Sequence, residues 1–440
     1  MKSLILAGAA LAASPALAQH DPHQGHGAPN AGHGVHQAAP AAPDHGGHAM
    51  PGSHMMTGAL GAYPMSREAS GTAWQPDASA HGGIHVTAGD WTLMGHAALN
   101  LVYDWQEGPR GDEMAFVAGM AMGMARRPVG PGALQFRAML SPDPLMGRRG
   151  YPLHLAAGET ADGVEILRDR QHPHDFFMEL SASYSLPIGP DASLYLYGGL
   201  PGEPAFGPPP FMHRMSIMDS PEAPITHHWL DSTHITFGVV TAGLVVGNVK
   251  LEGSRFNGRE PDERRWNIET GPLDSTALRV SWNPGANLSL QASWARLIEP
   301  EQLEPGENST RWSASAIYTR SLGVNGWWST TLAWGRRSGD HAQFDAVALE
   351  SAVGRGLWTL YGRAEYAETN ELVPGAGGHH GPTFNVGKIS LGAIRDFRLG
   401  PNIRLGLGAQ YARNFMPDGL AALHGGEPGG AMAFIRLRVD

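Results

Sequence analysis

Three groups of side chains in this sequence could do chemistry, and all three are built on histidine. The stretch Asp169-Arg170-Gln171-His172-Pro173-His174-Asp175 places two imidazoles either side of a proline, flanked by carboxylates. In extended backbone, residues two apart project to the same side, so His172 and His174 could share a metal ion. A metal site takes three or four ligands, so others must come from elsewhere. The best candidates are His227, His228, Asp231 and His234, crowded into a ten-residue stretch from Ile225. The third group is His20, His23, His26, His33, His36, His45, His48 and His54, spaced through a Gly, Ala and Pro segment. Neutral imidazoles on such a chain make a flexible chelator for Cu(II), Zn(II) or Ni(II). The plainer readings are a hydrogen-bonded polar loop for the first two groups and a solubilising tether for the third.

Methionine adds a softer possibility. Met212, Met215 and Met218 are spaced by three beside His213, and thioethers of this kind suit Cu(I). The same spacing equally fits a short amphipathic turn that packs its methionine face into an apolar mouth.

The elements that must position these groups follow from the rest of the chain. The 440 residues contain no cysteine, 59 glycines and 12 tryptophans, with 16% charged residues and a formal net charge of −10. There is no basic tract to neutralise phosphates, which excludes wrapping a nucleic acid backbone. Met1-Lys2-Ser3 precedes an apolar run from Leu4 to Ala13, and Ala16-Leu17-Ala18 supplies small residues at signal-peptidase spacing. Residues 1–18 are therefore expected to be a cleaved export signal, the run being too short for a spanning helix of ~20 residues. An exported chain without cysteine cannot rely on disulfides. Residues 19–56 are too poor in apolar surface to fold alone and are expected to be disordered. Residues 57–90 read as a linker or a possible plug segment.

From Trp91 onward the sequence alternates with period two. Leu278-Arg279-Val280-Ser281-Trp282 sets Leu, Val and Trp against Arg and Ser, and Trp358 to Tyr366 and Ile403 to Tyr411 do the same. Short turns (128–130, 188–191, a link near Gly243, 283–286, 323–326, 354–356, 400–402) interleave with longer loops. The long loops are 142–173, 201–231, 257–275, 298–309, 368–385 and 414–429, and two medium ones are 105–113 and 337–343. The count is about sixteen strands. Short turns on one rim and long loops on the other predict a closed, transmembrane antiparallel β-barrel over 91–440, because a bilayer supplies no partner for an open strand edge. Trp91, Trp105, Trp282, Trp294, Trp312, Trp327, Trp328, Trp334 and Trp358 fall at or near strand ends, where aromatic girdles belong. A soluble sandwich or propeller would alternate too, but without that rhythm of connections.

Parity then assigns faces. Arg279, Arg311, Arg363, Glu365, Lys388, Arg404, Arg436 and Arg438 should line the lumen, as should Asp175 and Glu179. Such a lining suits a water-filled pore or a network that pins an inserted plug. Met114, Phe116, Met120, Met122 and Met124 share one parity and are expected to face lipid. Pro173 breaks the ladder, so His172 and His174 are expected in the loop at the rim. The chain ends on Phe434-Ile435-Arg436-Leu437-Arg438-Val439-Asp440, alternating correctly without a terminal aromatic.

Several segments carry a family resemblance. Arg67-Glu68-Ala69-Ser70-Gly71-Thr72-Ala73-Trp74-Gln75-Pro76-Asp77, the Asp169–Phe177 stretch, Gly198 to Pro208, His227 to Gly238 and Phe256 to Glu263 resemble an uncharacterised proteobacterial outer-membrane β-barrel family. The resemblance covers most of residues 65–300 and implies the fold without naming an activity. The His-rich leader also resembles that of copper-resistance outer-membrane proteins. The reading is an exported, all-β outer-membrane barrel with short periplasmic turns and long extracellular loops. Its expected partners are outer-membrane lipid, the barrel-assembly machinery, and metal ions or small polar solutes, with a homo-oligomer allowed. Its expected work is to bind or pass a transition metal, copper first and Zn or Ni next, with the tail capturing it. The alternatives are a general porin-like channel for small polar solutes and an outer-membrane enzyme with a His/Asp rim site. For the last, no nucleophile context is recognisable.

Overall fold

The computed structural model describes residues 56–80, 82–339, 342–375 and 380–440. The export signal and the whole His20–His54 series lie outside the described residues. Strand β1 (Ile84–Ala88) forms a hairpin with the first residues of β2 (Trp91–Gln106). Next come β3 (Glu113–Val129) and β4 (Gly132–Leu140). A separate two-stranded sheet, β5 (Tyr151–Thr160) with β6 (Ile166–Gln171), is inserted before the wall resumes. It continues through β7 (Phe177–Gly189), β8 (Ala192–Gly199), β9 (Val239–Val246) and β10 (Val249–Phe256). Then follow β11 (Ser275–Gly285), β12 (Leu288–Ile298), β13 (Asn308–Ser321), β14 (Gly326–Ser338) and β15 (Gln343–Arg355). The last four are β16 (Trp358–Thr369), β17 (Phe384–Arg398), β18 (Ile403–Phe415) and β19 (Gly429–Val439).

Each wall strand pairs antiparallel with its neighbours, and β19 returns to β2, so β2–β4 and β7–β19 close into one barrel of sixteen strands. Short links such as 130–131, 190–191 and 286–287 form one rim, and the long connections form the other. The link expected near Gly243 is at 247–248 instead, and Gly243 lies inside β9. There it is needed: a Cβ at Gly243 would sit 2.2 Å from the Tyr195 ring, which crosses it from β8.

The wall is inverted relative to a soluble protein. Along β15, Ala346, Ala348, Glu350 and Ala352 point inward and are buried, whereas Leu349 and Val353 are about half exposed on the outer face. Leu101, Leu196, Leu278, Leu332, Leu360, Leu391 and Ile435 continue that outer apolar band, and Trp105, Trp282, Trp312 and Trp358 stand out at its edges. Arg279, Arg311, Arg363, Glu365, Lys388 and Arg436 are buried inside.

The methionine ladder departs from the expectation. Met114, Phe116, Met120, Met122 and Met124 face the lumen, opposite Asp104, Val102, Ala98, His96 and Met94 of β2. The outer face of β3 is made of Ala115, Val117, Gly119, Ala121 and Gly123. The rule that bulky residues face lipid presumes a wet lumen, and this lumen is packed.

What packs it is the chain itself. Residues 57–80 lie against the inner wall: Ser185 and Ser193 donate to the Ala59 and Leu60 carbonyls at 2.6 Å, and Lys250 donates to that of Thr72. Arg137 reaches Ala69 and Gly71, and Arg279 reaches the Thr72 hydroxyl at 2.9 Å. The β5–β6 hairpin is buried continuously from Tyr151 to Ala156. Loop 200–238 crosses to the far wall, with Phe211, Ile217 and Ala223 joining Phe116, Tyr361 and Phe434 in one apolar cluster.

The two faces make opposite predictions. Leu349→Arg, at the middle of β15, should cost about 2–4 kcal/mol of folding stability in lipid bilayers. Equilibrium refolding into vesicles measures it; a cost near zero would mean that this face does not meet lipid.

Candidate functional site

The inserted segments bring the predicted imidazoles together. Pro173 follows β6 and interrupts pairing, which turns His172 and His174 inward rather than leaving them on an open rim. A single helical turn, α1 (His227–Leu230), presents His227 and His228, and the tight turn Ser232–His234 adds His234. Ring centroids are 5.5 Å apart for His172–His228, 5.5 Å for His227–His228, 5.1 Å for His227–His234 and 5.3 Å for His174–His234, all edge to face. His172 and His227 lie 6.1 Å apart. Five histidines thus pack as one buried cluster. Their spacing in sequence gave two groups, and the fold makes them one.

Four of the five rings are tied to an acceptor, and His228 Nδ1 lies 3.8 Å from Glu260. His174 Nδ1 lies 2.8 Å from Asp143, His227 Nδ1 lies 2.6 Å from Asp231, and His172 Nδ1 lies 3.3 Å from Glu159. His234 Nδ1 is 2.7 Å from the Asp231 carbonyl, so it carries the proton. Nε2 of His172, His174 and His234 has no hydrogen-bond partner among the described residues. The cluster therefore offers unused nitrogens without focusing them on one point. Convergence of three ligand atoms within 4.8 Å occurs, among the described residues, at His154–Asp169–His424 and at Glu301–Glu304–His380.

Charge surrounds the rings. Arg214 is fully buried and donates to Asp231 at 2.8 Å and to Glu350 of β15 at 2.8 and 2.5 Å. Arg265 bridges Glu159 and Asp175. Burial, then Arg265 and the neighbouring imidazoles, hold His172 well below the usual histidine range. Burial and then His227 do the same to His228 and His234. Burial alone would raise Asp231, but His227 and Arg214 keep it well below the usual carboxylate range. Asp175 is pushed up to about 7 by burial, against the pull of Arg265.

Below the cluster lies a cavity of ≈ 140 Å³ that runs toward the short-turn rim. His172 and His174 are at one end, and Gly82, Arg438 and Asp440 at the other. Met94, Met120, Met122, Met212, Met215 and Met218 line it, with His96 and His213. Burial pushes His213 down to about 3, so it is a neutral imidazole at ordinary pH. Met212, Met215 and Met218 all line the cavity, and Met212 also packs against the neighbouring apolar clusters. Met120 and Met122 went unseen as site residues because their parity had assigned them to lipid, and Met94 was not singled out.

Arg214→Ala leaves Asp231 and Glu350 buried without their shared cation. It should cost roughly 3–5 kcal/mol, read as a lower urea midpoint, and loosen loop 200–238 to protease. A pH test follows from the rings. An unfolded histidine titrates near 6.5, so the stabilisation from three rings that resist protonation is complete above that pH and is lost below it. Asp175 acts in the opposite sense, gaining its proton in the folded state as pH falls through 7. Comparing wild type with His172→Gln/His228→Gln isolates the imidazoles. The wild-type advantage should shrink by about 1–3 kcal/mol between pH ~7.5 and ~5.5; a constant difference would mean that these rings titrate in the fold as they do in the unfolded chain.

No protein-family model and no curated protein matches the chain. Among solved structures, OmpF of Salmonella typhi in complex with daunomycin superposes with a TM-score of 0.51 at 11% identity, covering 81% of this chain and 100% of that one. An anion-selective porin from Comamonas acidovorans gives 0.44 at 12%, covering 79% and 99%. In-vitro folded OmpT, an outer-membrane protein of Vibrio cholerae, gives 0.43 at 10%, covering 80% and 99%. At these identities the likeness is one of fold. Closure, inverted wall and likeness agree that the chain is a sixteen-stranded outer-membrane β-barrel.

Proposed function

We propose that this barrel is a narrow, plugged outer-membrane channel whose cargo is a soft transition-metal ion, copper first. The observation that carries the reading is the lining of the lumenal cavity by six methionines and neutral histidine. Thioether and imidazole sulfur and nitrogen suit Cu(I) and its analogue Ag(I), whereas hard ions prefer oxygen. Such ligands hold an ion loosely enough to hand it from one to the next, as conduction requires. The histidine cluster at the long-loop end would receive the ion, and the His20–His54 tail would concentrate it. Cleavage of residues 1–18 and delivery to the barrel-assembly machinery belong to the same reading.

A general porin for small polar solutes is the second reading, favoured by the sixteen-strand closure and the OmpF-like fold. The packed lumen weighs against wide, unselective diffusion.

The two separate in vesicles holding a metal-sensitive dye. The metal channel predicts Ag(I) influx that falls at least tenfold in Met212→Leu/Met215→Leu/Met218→Leu, a swap of similar volume that keeps the packing, with little permeation by neutral sugars. Sugar-driven swelling with an Ag(I) flux indifferent to the leucines would sink the copper reading and leave the porin.

A further inference from the structure

The structure assigns a second metal site, outside the cavity, at His154, Asp169 and His424. The three residues come from the two strands of the inserted hairpin and from helix α2 (Asp418–His424), which lies in the loop between β18 and β19. All three are buried, His154 and His424 almost completely.

Backbone carbonyls fix where the protons of the two rings must be. His154 Nε2 lies 2.7 Å from the carbonyl of Glu107, and His424 Nδ1 lies 3.0 Å from that of Leu420. A carbonyl only accepts, so each of these nitrogens carries the hydrogen. In the neutral rings, His154 Nδ1 and His424 Nε2 are then bare lone pairs. Both face the same carboxylate oxygen, Asp169 Oδ1, at 3.7 and 3.1 Å. His154 Nδ1 has no hydrogen-bond partner among the described residues. Three acceptors therefore converge in a water-poor space; the Leu155 N–H donates to Asp169 Oδ1 at 2.9 Å, but neither bare imidazole nitrogen receives a donor from it, and a cation among the three would relieve their repulsion.

Extra protons could supply that charge, but they would add two buried imidazolium ions beside Arg110, whose guanidinium is 2.6 Å from Asp169 Oδ2. One divalent ion satisfies all three acceptors. Imidazoles fixed by backbone carbonyls are also how metal-binding histidines are oriented. The backbone is bent to make the convergence: Leu155, next to His154, has φ 69° and Asp169 has φ 52°. Left-handed non-glycine residues of this kind persist where surrounding structure holds them, often at ligand sites. Two imidazoles and a carboxylate suit a borderline divalent ion such as Zn(II), with a fourth position open. The ion would clasp the hairpin inside the lumen to the last loop at the mouth.

The test uses full-length folded protein, so that the His-rich tail contributes equally to every sample. Wild type, His424→Gln, Asp169→Asn and, as control, His380→Gln are loaded with Zn(II) and dialysed against a moderate chelator. Wild type and His380→Gln should retain one equivalent more than the other two. Zn(II) should also protect residues 418–424 from protease in wild type and not in His424→Gln. Heat-modifiable gel migration verifies folding, and the near-isosteric Asp169→Asn carries the count if His424→Gln fails to fold. Equal retention in all four proteins, or equal protection with and without Zn(II), would overturn the site.

Discussion

Arg214 is the residue on which the interior depends. Its guanidinium joins Asp231, within the histidine cluster, to Glu350 on the wall. A barrel of sixteen strands has a lumen too wide for its own side chains to fill, so it must be wet or occupied. Here it is occupied, and an occupant at membrane depth has to satisfy its polar groups within the protein. Arg363 and Lys388 holding Glu222, Thr226 donating to Glu365 at 2.9 Å, and Arg436 holding Asp219 repeat the Arg214 pattern around the wall. Buried pairs of this kind are weak evidence for stability, because desolvation offsets their attraction, but breaking one leaves a costly orphan charge. Their role is to fix one position of loop 200–238, and with it the places of His213, His227, His228 and His234.

That logic explains which parts of the molecule were legible in sequence. The wall was, because alternation and turn spacing are local and lipid imposes them on every strand. The turn at 247–248 was misplaced because Val239 to Val246 is a nearly continuous apolar run in which Gly243 looked like punctuation. The inward methionines of β3 were misread because the plug brings an apolar surface to the lumen, and nothing in β3 itself announces that. His227, His228, Asp231 and His234 were legible as a group because one turn gathers them. Their union with His172 and His174 required knowing that two loops fold into the same space. His154 and His424, 270 positions apart, gave no signal at all.

The two metal chemistries differ as their places in the fold demand. The cavity offers soft, neutral donors that are spread along its length, so an ion there would be held by few ligands at a time. The His154–Asp169–His424 triad offers nitrogen and charged oxygen at one point between separate chain segments. The first arrangement favours passage, the second retention. The five-histidine cluster lies between these extremes, dense in nitrogen but with four of its rings held by a carboxylate or carbonyl.

The absence of cysteine gives this division its meaning. An exported chain could have locked its plug with disulfides, and such a lock would be permanent in an oxidising compartment. With none, the plug is held by ion pairs and hydrogen bonds, Arg110 with Asp169 among them. Each of these holds is reversible: protons compete for the imidazoles, and a metal ion at the proposed triad would come and go. A plug that is to admit an ion without unfolding needs contacts that can be released one at a time. The lumen of this barrel is built from contacts of that kind.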